Sequence, residues 1–183
     1  MLILVGKTCS GKTTAVEGLC KNLGYEKIVT YTTRPKRPGE IDGRDYHFVS
    51  LDEFKKMEER GEFAETASYD AVFGKCYYGS AKVDYAENGS RDKVIILNPY
   101  GLKAVRSSGI NAVALLLDLS DDAIMKRLRN RGDSAEESSR RLAADNADFS
   151  DIDKYIDGVI NAGAYMKETL PYVIDEKFEQ LCA

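Results

Sequence analysis

The opening of the chain constrains its fold more than any other stretch. Gly6-Lys7-Thr8-Cys9-Ser10-Gly11-Lys12-Thr13 has the spacing GxxxxGK(S/T). It lies between the apolar run Leu2–Val5 and a stretch of helical character, Lys12–Leu23, that stops at Gly24. A strand that is apolar at every position is buried on both faces, so it needs helices on either side, and an α/β core is expected. In that setting the backbone N–H groups of the loop can surround phosphate oxygens. Glycines allow close approach, the helix N-terminus adds partial positive charge, Lys12 reaches the β- and γ-phosphates, and Thr13 offers a hydroxyl to Mg2+.

Further apolar strands are expected at residues 25–30, 93–97, 112–117 and 155–160, each beside a segment of helical spacing. This alternation predicts a parallel sheet with helices on both faces. Two stretches depart from it. Residues 31–79 hold Pro35, Pro38, Gly39, Gly43, many aromatics and one helix that starts at the capping box Ser50 to Glu53 and ends before Gly61. They read as an inserted subdomain. Residues 121–148 are charged and helical, with a second S-x-x-E start at Ser134 after Arg131-Gly132, and read as a lid. The core is then 1–30, 80–120 and 149–183, within a single domain. A last helical stretch from Ala162 contains Pro171, which is expected to break or kink it.

Twenty-six Lys and Arg against thirty Asp and Glu give a net charge of −4, which disfavours broad binding to a nucleic-acid polymer. No apolar run approaches the roughly 18 residues of a membrane span. His47 is the one histidine, expected to be structural, and Cys9, Cys20, Cys76 and Cys182 show no zinc-like spacing. The start lacks the features of a signal peptide, so free thiols and a cytoplasmic setting are expected. Eight of the eleven arginines fall in two groups: Arg34, Arg37 and Arg44, then Arg127, Arg129, Arg131, Arg140 and Arg141. Guanidinium groups bind phosphate bidentately, so two such groups beside one phosphate loop suit a second phosphorylated substrate. For Arg129 and Arg140, the nearby Glu136 and Glu137 make an ion-paired solvated face an equal reading.

Thr32-Thr33-Arg34-Pro35-Lys36-Arg37-Pro38-Gly39-Glu40, Gly43-Arg44-Asp45-Tyr46-His47-Phe48-Val49, Gly61-Glu62-Phe63-Ala64-Glu65 and Tyr77-Tyr78-Gly79-Ser80 resemble, in order, the guanylate kinase family. Arg127-Leu128-Arg129-Asn130-Arg131 and Val159-Ile160-Asn161 extend the resemblance over nearly the whole chain. It implies a P-loop NTPase core with an inserted nucleotide-monophosphate-binding subdomain and a helical lid, and transfer of the γ-phosphoryl of ATP to GMP with Mg2+. Arg34, Arg37, Tyr46 and Tyr78 would hold the GMP phosphate, while Thr30, Glu65, Ser80 and Asn98 would belong to the guanine pocket. Gly6, Ser10, Gly11, Lys12, Thr13 and Thr14 would hold the ATP phosphates, and Asn161 would lie near the adenine. Lys12, Arg34, Arg127, Arg131 and Arg141 would act on the transferring group.

Three positions depart from the family pattern: Lys7 replaces a usual proline, Asn98 replaces an acidic residue, and residues 70–76 are longer than the usual link. The change at 98 weakens either the guanine contact or the acidic surroundings of the metal. A generic reading would place the metal carboxylate at Asp118, which the resemblance puts elsewhere. The alternatives are a related kinase of another phosphorylated acceptor and a noncatalytic binding module on the same fold.

Overall fold

The computed structural model describes residues 1–37, 39–71, 74–86 and 93–183. Strand β1 (Leu2–Val5) is followed by helix α1 (Lys12–Leu23) and a two-residue strand β2 (Glu26–Lys27). With β7 (Lys93–Ile96), β8 (Val113–Asp118) and β9 (Gly158–Asn161) they build a parallel sheet in the order β2-β7-β1-β8-β9. The pleat explains the composition of β1. Leu2 and Leu4 join one buried cluster with Val16 and Leu19 of α1 and Phe178, whereas Ile3 joins Leu102 and Val105 on the opposite face.

The second face is covered by helix α4 (Pro99–Ser107), and the first by α1 with α7 (Leu170–Cys182). Pro171 does not break α7. It occupies the first turn, where its missing N–H is no loss, and packs so closely that a Cβ on Gly18 of α1 would lie 2.3 Å from its Cγ. The preceding residues from Ala162 form turns instead of helix. Two expected strands also shorten. Of residues 25–30 only Glu26–Lys27 pair, and residues 155–160 yield a strand only from Gly158, after a short 3-10 turn at Ile152–Lys154.

Strands β3 (Tyr31–Thr32), β4 (His47–Phe48), β5 (Phe63–Ala71) and β6 (Gly74–Ala81) make a separate sheet in the order β4-β3-β6-β5. Helix α2 (Leu51–Glu59), capped by Ser50 as its sequence predicts, buries Phe54 and Met57 against Phe63. His47 stacks on Tyr31 with ring centroids 4.6 Å apart, a packing role. Of the 70–76 segment, the described residues continue the β5–β6 pairing, with Asp70 opposite Lys75 and Ala71 opposite Gly74, and residues 72–73 lie outside the described residues. Helix α3 (Lys82–Ala86) leads back toward the main sheet. Helices α5 (Asp121–Asn130) and α6 (Ala135–Asp148) form the third part, joined by Leu128, Ile124 and Leu142. Ser134 caps α6 by accepting from Glu137 N–H.

Candidate functional site

One cleft of about 680 Å3 runs among these three parts. Its lining includes Gly6, Thr8 and Lys12 from the phosphate loop, Arg34, Arg37, Tyr46, Glu65 and Tyr78 from the small sheet, and Glu137, Arg140, Arg141 and Asp145 from α6. Thr30 and Asn98 complete it where the two sheets meet.

The loop takes its shape from backbone geometry. Gly11 has a φ of 103°, and Cys9, at 55°, is the one non-glycine with a left-handed φ among the described residues. A Cβ on Gly6 would meet Ser10 Oγ at 2.6 Å and the Leu117 carbonyl at 2.7 Å, so only glycine fits beneath the loop. Lys12 Nζ donates to the carbonyls of Gly6 (2.6 Å) and Lys7 (2.9 Å). Burial pulls its ionisation down to about 8, against the attraction of Asp145 and Cys9. Arg127 Nη1 donates to the Cys9 carbonyl at 2.8 Å, placing that guanidinium on the rim of the loop. Thr13 and Thr14 lie exposed in the first turn of α1.

The part of the cleft expected to take the acceptor is built on the small sheet. Arg34 is buried, its Nη2 bound to Glu40 Oε1 at 2.7 Å and its guanidinium 5.3 Å from the ring centre of Tyr46. Tyr46 meets Tyr78 edge to face at 6.0 Å. Although burial opposes it, hydrogen bonds from Arg34 and the Arg37 N–H hold the Glu40 carboxyl below its ordinary range. Glu65 is 6% exposed, and its Oε1 accepts from Ser80 Oγ at 2.7 Å, while its buried Oε2 has no hydrogen-bond partner among the described residues. Burial pushes its ionisation up to about 7, against the Ser80 hydrogen bonds. Ser80 is wholly buried, and its hydroxyl is spent on Glu65 and Tyr85. It therefore stands behind Glu65, not beside it on the cleft wall. Asn98 lines the cleft, but its Oδ1 caps α4 by accepting from Gly101 N–H at 2.8 Å, a task an aspartate performs equally well.

The lid residues divide. Arg141 donates to Glu137 Oε1 at 2.6 Å and Arg140 makes two 2.8 Å bonds to the same carboxylate, whose ionisation these hydrogen bonds lower to about 2. Arg140 thus carries the ion pair its spacing suggests and also lines the cleft, which sequence did not separate. Arg131 pairs with Asp133 and lies outside the cleft lining, as do Arg44, Asp118 and Asn161. Asn161 ends β9 with its side chain accepting from Gly163 N–H. A residue that sequence reasoning missed is Asp145, whose Oδ2 accepts from the Thr8 N–H of the phosphate loop at 2.5 Å. Beside it Asp121 accepts from both Lys7 Nζ (2.9 Å) and Asn146 Nδ2 (3.0 Å), tying α6 to the loop through the lysine that departs from the family pattern.

A parallel sheet with a GxxxxGK(S/T) loop at the end of β1, flanked by a small mixed sheet and a helical arm, defines a P-loop protein with the architecture of a nucleotide kinase. The guanylate kinase family model matches residues 1–168. A guanylate kinase of Aromatoleum aromaticum is 35% identical over 166 residues, covering 88% of this chain and 79% of that one. One of Rhodopseudomonas palustris is 36% identical over 166 residues, covering 88% and 74%. The crystal structure of guanylate kinase from Anaplasma phagocytophilum superposes with a TM-score of 0.68 at 24% identity, covering all of this chain and 86% of that one. The chain belongs to the guanylate kinase family. Among the described residues no helix is long and apolar enough to cross a membrane.

Proposed function

We propose that the protein transfers the γ-phosphoryl of ATP to GMP, giving ADP and GDP. The observation that carries this reading is Glu65. A buried carboxylate with one unpartnered oxygen is costly, and guanine offers what it lacks, the adjacent N1–H and 2-amino donors that adenine does not present together. Thr30, buried on the same wall, has a hydroxyl suited to the purine O6. Arg34, Arg37, Tyr46 and Tyr78 then receive the GMP phosphate between Glu65 and the loop.

At the loop end the backbone N–H groups with Ser10, Gly11, Thr13 and Thr14 hold the ATP phosphates, and Lys12 leaves the carbonyls of Gly6 and Lys7 to follow the γ-phosphoryl. Mg2+ would be held by the Thr13 hydroxyl together with phosphate oxygens and water. Among the described residues no cluster of three His, Cys, Asp or Glu forms a cage, which suits a cation carried in on the triphosphate. When bound, the cation neutralises charge on the β- and γ-oxygens. Arg127 at the loop and Arg141 on the lid add positive charge around the transferring group, with Arg131 joining on closure. Asn161 lies near the adenine. Catalysis is by positioning, charge neutralisation and exclusion of water, with no covalent enzyme intermediate. The free thiols of Cys9, Cys20, Cys76 and Cys182 suit a cytoplasmic setting.

A coupled assay over GMP, AMP, CMP and UMP tests the acceptor. GMP should be preferred, and Glu65→Gln, which turns one acceptor into a donor facing guanine's donors, should cost about 2–4 kcal/mol in kcat/KM for GMP. Preference for another monophosphate would sink the reading.

A further inference from the structure

We propose that Tyr85 is a positioning residue of the acceptor pocket: its hydroxyl commits the Ser80 proton to Glu65 Oε1 and keeps Oε2 as a fixed acceptor for the base. This rests on Glu65 being the guanine contact.

Direction follows from proton counting. An ionised Glu65 only accepts, so the single proton of Ser80 Oγ goes to Oε1 at 2.7 Å. Tyr85 OH, also 2.7 Å from Ser80 Oγ, must then be the donor in that second bond. The three groups form a directed chain, Tyr85 to Ser80 to Glu65, in which each bond polarises the next. The element order brings them together. Glu65 and Ser80 pair across β5 and β6, the register shift between Phe63 and Glu65 re-aims the carboxylate, and α3 begins directly after β6 so that Tyr85 turns back toward Ser80.

The ring of Tyr85 packs against the main-sheet cluster that contains Ile3 and Ile95. The hydroxyl is therefore anchored in the rigid core while it acts on the smaller sheet. Without it, Ser80 Oγ would lose its incoming donor inside a fully buried site and could turn away from Oε1. Oε2 lies by Gly101, where a Cβ would approach it to 3.5 Å, and Gly101 lines the cleft. Near the carboxylate are Ser80 from β6, Tyr85 from α3 and Gly101 from α4, with the α4 cap Asn98 also beside Gly101; Asp84 and Glu65 are the charges acting on Tyr85. Burial, with Glu65 and Asp84 adding to it, raises the phenol above its ordinary range, so it stays a donor at every working pH.

The test compares wild type with Tyr85→Phe, Ser80→Ala and the double variant. Carbon-13 NMR follows the Glu65 carboxyl in the ligand-free protein, and initial rates are taken for GMP and ATP. Tyr85→Phe keeps the ring, should move the Glu65 titration to higher pH, and should raise the KM for GMP by about 5-fold. The KM for ATP and kcat should stay within about 2-fold. Ser80→Ala should do the same, and the double variant should be no worse than Ser80→Ala alone. An unmoved Glu65 titration, additive losses, or equal rises in both KM values would overturn the proposal. A shifted titration with an unchanged GMP response would remove Glu65 from the guanine contact, and the positioning role with it. A wild type inert toward GMP would overturn the proposed function itself.

Discussion

Glu65 and Lys12 both line the cleft, and burial moves both toward their neutral forms. For Glu65 the folded value of about 7 lies above the ordinary 4.5, so its contribution to stability is full below 4.5 and is lost as pH rises toward 7. Binding a base that offers donors has the opposite sign, since the carboxylate must be charged. We expect kcat/KM for GMP to rise with pH through about 7, and this limb should vanish in Glu65→Gln. Lys12, lowered to about 8, costs stability while charged and regains it as pH rises from 8 toward 10.5, whereas phosphate binding needs the charge. The profile for ATP should therefore fall above about 8. Varying each substrate in turn separates the limbs, and a single shared profile would refute the assignment.

Helix α4 shows what a single element asks of its first residues. Asn98 caps it and Pro99 occupies the first turn, so Asn98→Ala should cost about 1 kcal/mol in thermal or denaturant unfolding. Asn98→Asp keeps the cap but sets a second carboxylate on the wall that holds Glu65, with Gly101 within reach of both. It should therefore push the Glu65 titration and the acid limb of the GMP profile to higher pH, and any gain in GMP efficiency should show only on the alkaline side. An unshifted limb would separate the two groups. Elements of this kind were largely legible in sequence. Gly24 ends α1 with a left-handed φ, and Ser50 and Ser134 cap where S-x-x-E stands. Pro171 was misread because a proline in a first turn and a proline inside a helix look alike until the true start, set by packing against Gly18, is seen. The strands at 25–30 and 155–160 shortened because apolar residues there pack into the core without pairing along the ladder, as Tyr25 does, its N–H going back to the Leu19 carbonyl of α1.

Across the whole molecule, the proposed reaction asks for the phosphate groups of both substrates to be gathered between the small sheet, the loop and the α5–α6 arm. ATP and GMP together, or a bisubstrate analogue, should bring the small sheet and α6 closer to the loop than either substrate alone. Scattering or paired distance labels would measure this, and no compaction with the analogue would count against it. The turn-rich stretch 31–79 and the charged helical stretch 121–148 mark in sequence where the small sheet and the α5–α6 arm leave the alternating core. The contacts that join the parts were not legible there, because they lie far apart in the chain: Thr8 with Asp145, Lys7 with Asp121, and Arg127 with Cys9 are separated by 137, 114 and 118 residues. The first of these should make the resting protein its own weak competitive inhibitor. Asp145 is tethered at high effective concentration over an N–H that the expected phosphate site would use, so ATP should bind only molecules in which that contact has opened. The apparent ATP affinity should then be the intrinsic affinity multiplied by the open fraction. Asp145→Asn, which keeps the shape but removes the charge, should tighten ATP binding by about 3- to 10-fold in calorimetry. It should also let inorganic sulfate or phosphate compete with ATP more effectively. The same carboxylate should also keep stray anions off the loop.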